Sequence, residues 1–164
     1  MATLRQDIHQ QAAWLVRAFQ ADGRQLDFSL GSFQQLDDFF DEHSAPAQAK
    51  PGGRLATNLG QVLFAIGAYV GETIIRSIPG ADWQLDKTDP QGEINAEVHL
   101  PGGSVIWPMQ RVLKRFQHGA EDGLLIYGRA LEPPATTASP NSASTATSSA
   151  PVSRPAAKPW YKFW

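Results

Sequence analysis

A helix that is apolar on nearly every face cannot lie on a surface, and residues 55–78 read as such a helix. Leu59, Val62, Leu63, Phe64, Ile66, Tyr69, Val70, Ile74 and Ile75 leave it no continuous polar stripe. It must be covered from several sides, so the rest of the fold is built around it. Gly60, Gly67 and Gly71 stand at i, i+7 and i+11, along one line. A glycine inside a helix costs about 1 kcal/mol against alanine. Three on one line imply a neighbour that approaches the backbone closely, or a narrow groove for a ligand. Glu72 and Arg76 follow at i, i+4 in the favourable order. At a surface such a pair contributes only about 0.3 kcal/mol. Among Tyr69, Ile74 and Ile75 it becomes partly buried, and Glu72 then needs a partner. Glu72 and Arg76 are therefore a structural pair or a functional carboxylate with its cation.

The segments on either side supply the covering layers. Leu4, Ile8, Ala12, Leu15, Ala18 and Phe19 are spaced for a helix over residues 4–21, which Gly23 ends. After the connector Leu26-Asp27-Phe28, Ser29 or Ser32 can cap a second helix over residues 33–42. Its apolar face is Phe33, Leu36, Phe39 and Phe40. Asp37, Asp38, Asp41 and Glu42 make a solvated outer face, although Asp37 and Asp41, one turn apart, could also hold a divalent cation. Residues 44–53 read as a Pro/Gly/Ala loop. Beyond Pro79-Gly80, residues 83–85, 94–100 and 104–107 read as three short strands. Turn signals at Pro90-Gln-Gly92 and Pro101-Gly-Gly103 join them into an antiparallel meander. Alternation puts Ile94, Ala96, Val98 and Leu100 on one face and Asn95, Glu97 and His99 on a wet one. Pro108 opens a fourth helix at its first turn, Gly119 breaks it, and residues 121–131 form a last short helix. The expected class is α+β: a central glycine-bearing helix and flanking helices packed on a small antiparallel sheet.

Charge and missing motifs remove several functions. Residues 1–132 carry eleven Lys/Arg against sixteen Asp/Glu, a net charge of -5, which argues against nucleic acid as a ligand. The chain has no cysteine, so disulfides, thiolate metal sites and cysteine nucleophiles are excluded. His9, His43, His99 and His118 are scattered, without local carboxylate or histidine partners at metal-ligand spacing, and neither a metal nor a cofactor is expected. The sequence has no G-x-S-x-G, no H-E-x-x-H and no P-loop. Gly67-Ala-Tyr-Val-Gly71 lies mid-helix, where it cannot cradle phosphate. Glu72 with Tyr69 is the least unfavourable acid/base pair, so the chain is expected not to be an enzyme. It shows no apolar leader, and its longest apolar stretch, residues 62–70, is too short to span a bilayer. A cytoplasmic location is the expectation.

Several of these stretches together carry a family resemblance. Leu26-Asp-Phe-Ser…Ser32-Phe-x-x-Leu36-Asp, Gly67-Ala-Tyr-Val-Gly-Glu72 followed by Trp83, and Leu100-Pro-Gly-Gly…Pro108…Val112-x-Lys114-Arg115 resemble a family of small bacterial domains of unknown function, over roughly residues 25–131. The resemblance implies an α+β domain with a central glycine-bearing helix against a small antiparallel sheet. It implies no catalytic residues. Since some such domains sit beside toxin or secretion genes, it also implies an accessory or immunity role.

The chain changes character after Glu132. Residues 133–158 consist almost wholly of Pro, Ala, Ser and Thr, a composition that cannot bury enough surface to offset its ordering entropy and that reads as a disordered linker. As a flexible coil its 26 residues would span roughly 30 Å. Residues 159–164 then read Pro159-Trp160-Tyr161-Lys162-Phe163-Trp164, holding two of the five tryptophans where no core is at hand. Arg154, Lys158 and Lys162 make residues 133–164 net +3. Trp and Tyr are preferred interface anchors because they bury much area for few rotors. The expected function is a non-enzymatic binding or adaptor protein. Its peptide, Trp160, Tyr161, Lys162, Phe163 and Trp164, docks on a partner protein. Alternatively the peptide folds back as a lid on its own domain or swaps in a dimer. So short a peptide, in a segment with only three positive charges, binds an anionic membrane only weakly. The oligomeric state is open.

Overall fold

Thr3 starts the first helix. Its side chain accepts from the Gln6 N–H at 3.3 Å, and the Gln6 side chain accepts from the Thr3 N–H at 2.8 Å, a reciprocal cap for α1, Leu4–Ala21. The computed structural model describes residues 3–132; the proposed linker 133–158 and peptide 159–164 lie outside the described residues. Ile8, Ala12, Leu15 and Phe19 line the buried face of α1, which packs along the central helix α3, Leu59–Ser77. α2, Phe33–His43, follows a 3-10 turn over Leu30–Ser32. Of the two candidate caps, Ser29 does the capping: its hydroxyl accepts from the Ser32 N–H at 3.2 Å and so fixes the turn before the helix. Phe33, Leu36, Phe39 and Phe40 are buried.

Residues 44–53 are not all loop. β1, Ser44–Ala45, and β2, Gln48–Ala49, form a two-residue antiparallel ladder with Ser44 opposite Ala49. Ala47 turns between them at φ 60°, and its N–H donates to the Phe116 carbonyl at 2.9 Å. The central helix also begins later than expected, at Leu59. Asn58 stands in the left-handed region at φ 56°, and Leu55, apolar enough to read as helix, is instead buried from a turn.

The meander appears in the expected order. β3, Asp82–Gln84, β4, Glu97–His99, and β5, Val105–Ile106, pair antiparallel, with Trp83 opposite Val98 and Val98 opposite Ile106. Ala96 and Val98 face the core, while Glu97 and His99 sit on the outer face. Ile94 departs from the expected alternation. The chain around it is a turn rather than strand, and Ile94 is 44% exposed. Pro108 opens α4, Pro108–His118, and Gly119 ends it at φ 78°. The last segment is split: a 3-10 turn, Gly119–Asp122, precedes α5, Leu124–Leu131.

The fold is α+β, with α3 at its centre and one continuous core cluster through all five helices and the three-stranded sheet among the described residues. Two of the three glycines on α3 have a packing reason. A Cβ on Gly71 would overlap the Trp83 ring and stand 3.2 Å from Pro108 Cγ, and one on Gly67 would meet Met109 at 3.0 Å. At Gly60 nothing lies within 4 Å. No helix among the described residues is long and apolar enough to cross a membrane.

Candidate functional site

Glu72 and Arg76 are not partners of one another. Glu72 is 5% exposed, with one partner on α1 and one on β3. Its Oε1 accepts from the Trp83 indole N–H at 2.9 Å, and its Oε2 lies 3.1 Å from His9 Nδ1. Arg76, one turn on, is exposed and places its guanidinium 3.6 Å above the centre of the Phe28 ring. The indole N–H is the nearer and drier donor for a carboxylate this deep, so the i, i+4 spacing is overridden by tertiary packing.

Tyr69 belongs to a different cluster. Its hydroxyl lies 2.6 Å from Ser32 Oγ and accepts from the Phe28 N–H at 2.8 Å. Burial, its main influence, pushes the phenol above its ordinary range, against the pull of the Ser32 hydrogen bond. Phe28 itself is held at φ 57°, a conformation that costs a bulky residue about 1–2 kcal/mol. The Tyr69 hydrogen bond, a ring contact at 4.9 Å and the Arg76 guanidinium together hold it there. Tyr69 and Glu72, the acid/base pair read from the sequence, are therefore committed to separate partners. Neither lines any of the surface recesses described below.

The acidic face of α2 is also not simply solvated. Arg115, 2% exposed, donates from Nε to Asp37 Oδ1 at 2.8 Å and from Nη2 to Asp41 Oδ1 at 2.8 Å. Asp37 further accepts from the N–H groups of Leu124 and Leu125, at 2.9 Å each, and so caps α5. The cation between Asp37 and Asp41 is a guanidinium. Among the described residues no group of three or more His, Asp or Glu could hold a metal ion. The four histidines, scattered in the sequence, each pair with a single carboxylate: Glu72 for His9, Glu42 for His43, Glu97 for His99 and Asp122 for His118. Two of these pairs lie within two residues and one at i, i+4. Only the His9–Glu72 pair needed tertiary structure to be seen.

What the polar clusters leave open is an apolar recess. The first turns of α3 contribute Gly60, Leu63 and Phe64, α4 contributes Met109 and Leu113, and the turn before β4 contributes Glu93 and Ile94. It encloses about 290 Å³. Glu93 is the one ionisable side chain among those lining it. Where α4 lies against Gly67 a Cβ would collide; at Gly60, two turns earlier, the space is vacant. The open side of the glycine line is thus the floor of the recess. Two other recesses are more polar in make-up. One, of about 270 Å³ between α1 and the start of α3, is crossed by the Asp22–Arg54 ion pair. The other, of about 430 Å³, is lined by Arg5, Asp82 and Lys87 beside Trp83.

The chain matches no family model, no curated protein and no solved structure with which it was compared. The side chains themselves therefore carry the functional reading.

Proposed function

We propose that this protein is a non-enzymatic binding or adaptor protein with two recognition elements: the apolar recess of the folded domain and the aromatic peptide Trp160-Tyr161-Lys162-Phe163-Trp164. The observation that carries the reading is the recess itself, open, apolar and bordered by a single carboxylate. At about 290 Å³ it falls at the lower edge of small-molecule pockets, which run from about 300 to 1,000 Å³. That is room for one large apolar side chain. The buried ionisable groups, by contrast, are engaged in holding the fold. Glu72 binds Trp83, Arg115 binds Asp37, and Tyr69 holds Ser32 and Phe28.

The peptide serves a partner protein by presenting Trp160, Tyr161, Phe163 and Trp164 to an apolar groove, with Lys158 and Lys162 answering acidic groups. The family resemblance of residues 25–131 points toward an accessory or immunity role in a bacterial toxin or secretion system, an analogy of fold rather than of site. The test is affinity capture with mass spectrometry, using the intact chain and its W160A/W164A variant, followed by titration of the purified candidate. A protein recovered only by the intact chain, and binding it with micromolar or tighter affinity, supports the reading. Equal recovery by both chains removes the peptide from it.

A further inference from the structure

The recess and the aromatic peptide match one another. The recess is walled by Leu63, Phe64, Ile94, Met109 and Leu113, with Gly60 as its floor. Methionine and flat apolar walls suit an indole, whose face and edge both make favourable contacts with sulfur and carbon. Ile94, 44% exposed at the rim, is one of few large apolar side chains left in water among the described residues. Charge agrees as well. Glu93 is the recess's single ionisable group, in a folded part of net charge -5, while Lys158 and Lys162 flank Trp160 in a segment of net charge +3. Reach is not limiting. A linker of 26 residues has a contour of about 90 Å at ~3.5 Å per residue. A folded unit of this length is about 35 Å across.

We propose that this recess seats one tryptophan, Trp160 or Trp164, of the same chain, so that the partner-binding peptide is held by its own domain until a partner competes for it. The proposal rests on the reading of the recess as a binding site given above. Tethering supplies the affinity that a single side chain lacks. A short flexible connection gives an effective concentration in the millimolar range, enough to fill a site that binds the free peptide only weakly.

The test uses the intact chain. Methyl spectra of isotope-labelled protein are compared with those of W160A/W164A. The expected result is a set of shifts confined to Leu63, Ile94, Met109 and Leu113 and unaffected by dilution. Gly60→Leu, which fills the floor where no neighbouring atom lies within 4 Å, should produce the same release with the core signals unmoved. The free peptide Pro-Trp-Tyr-Lys-Phe-Trp should bind W160A/W164A about tenfold more tightly than it binds the intact chain, whose own tryptophan competes. Shifts that vanish on dilution assign the recess to a second copy and overturn the proposal. If the methyl signals are identical in both chains but the free peptide still binds at the recess, self-occupancy falls and the binding site stands. If the peptide binds neither chain, both fall.

Discussion

Gly60 and Gly71 lie on the same line of the same helix, yet a single added methyl should have opposite consequences at the two. At Gly71 a Cβ overlaps the buried Trp83 ring, and moving that ring aside would strain the bond from its indole N–H to Glu72. Gly71→Ala should lower unfolding free energy by about 2–3 kcal/mol, as overpacked cores do. At Gly60 the methyl meets nothing within 4 Å and only the helix preference for alanine over glycine remains, so Gly60→Ala should raise stability by up to about 1 kcal/mol. Urea denaturation of the two variants decides this, and equal losses would refute the open floor of the recess. Tyr127 offers a second test at this scale. Burial pushes its phenol from 10.0 up to about 12, against the opposing pull of Arg111, whose guanidinium sits 4.6 Å from the ring centre. The folded hydroxyl stays neutral where the unfolded one ionises. Its stabilisation is thus complete below pH 10 and is lost as pH rises from 10 to about 12, a change of about 2–3 kcal/mol. Tyr127→Phe should flatten the alkaline limb of the stability profile by that amount, with tyrosinate absorbance marking the titration.

The Asp37–Arg115 staple belongs to the scale of elements, because it joins α2, α4 and the start of α5. Arg115→Ala leaves the Asp37 carboxylate buried without its cation and should cost about 3–5 kcal/mol. Asp41, whose side chain is 63% exposed, should matter by less than about 1 kcal/mol. Because Asp37 and Arg115 act on one another, D37A/R115A should lose clearly less stability than the two single losses added. A double-mutant cycle by chemical denaturation reads this coupling; strict additivity would remove the staple. The staple also marks how much of the fold was legible in the chain. The apolar spacing alone yields the helices, Pro108 and Gly119 bound α4, and the Pro-Gly turns place the meander. Asp37 reads as solvated surface from its acidic neighbours, yet both it and Arg115 stand in apolar stripes: Asp37 between Phe33, Leu36 and Phe40, and Arg115 between Val112 and Phe116. A lone charge in such a stripe calls for a counter-charge on another element, and that signal was present. Nothing local announced the β1–β2 ladder. Its strands are two residues long and contain no β-branched side chain, and the ladder is tied down through Ala47 to the distant Phe116 carbonyl. The Glu72–Trp83 bond was invisible for the same reason, whereas the need of a buried Glu72 for a partner was plain from its apolar neighbours.

For the whole molecule, the proposed seating of the peptide in the recess can be driven by charge or by apolar contact. Net charges of -5 and +3 on the two parts would draw them together over a distance comparable to the Debye length, about 10 Å in 0.1 M salt. The recess, however, offers one carboxylate against six uncharged lining residues. An exposed Glu93–Lys pair contributes only about 0.5 kcal/mol. A tryptophan that buries most of its apolar surface contributes about 2 kcal/mol or more. Charge should set how fast the peptide finds the recess, and the indole how long it stays. If the tethered peptide fills a site whose dissociation constant is about tenfold below its effective concentration, W160A/W164A should lower the unfolding free energy of the intact chain by about 1.4 kcal/mol. High salt should leave most of that difference in place. Denaturation of both chains at low and high salt measures it. A difference that disappears with salt would make the contact electrostatic and return the aromatic side chains to a partner alone, and no difference at either salt would leave the recess without its tryptophan.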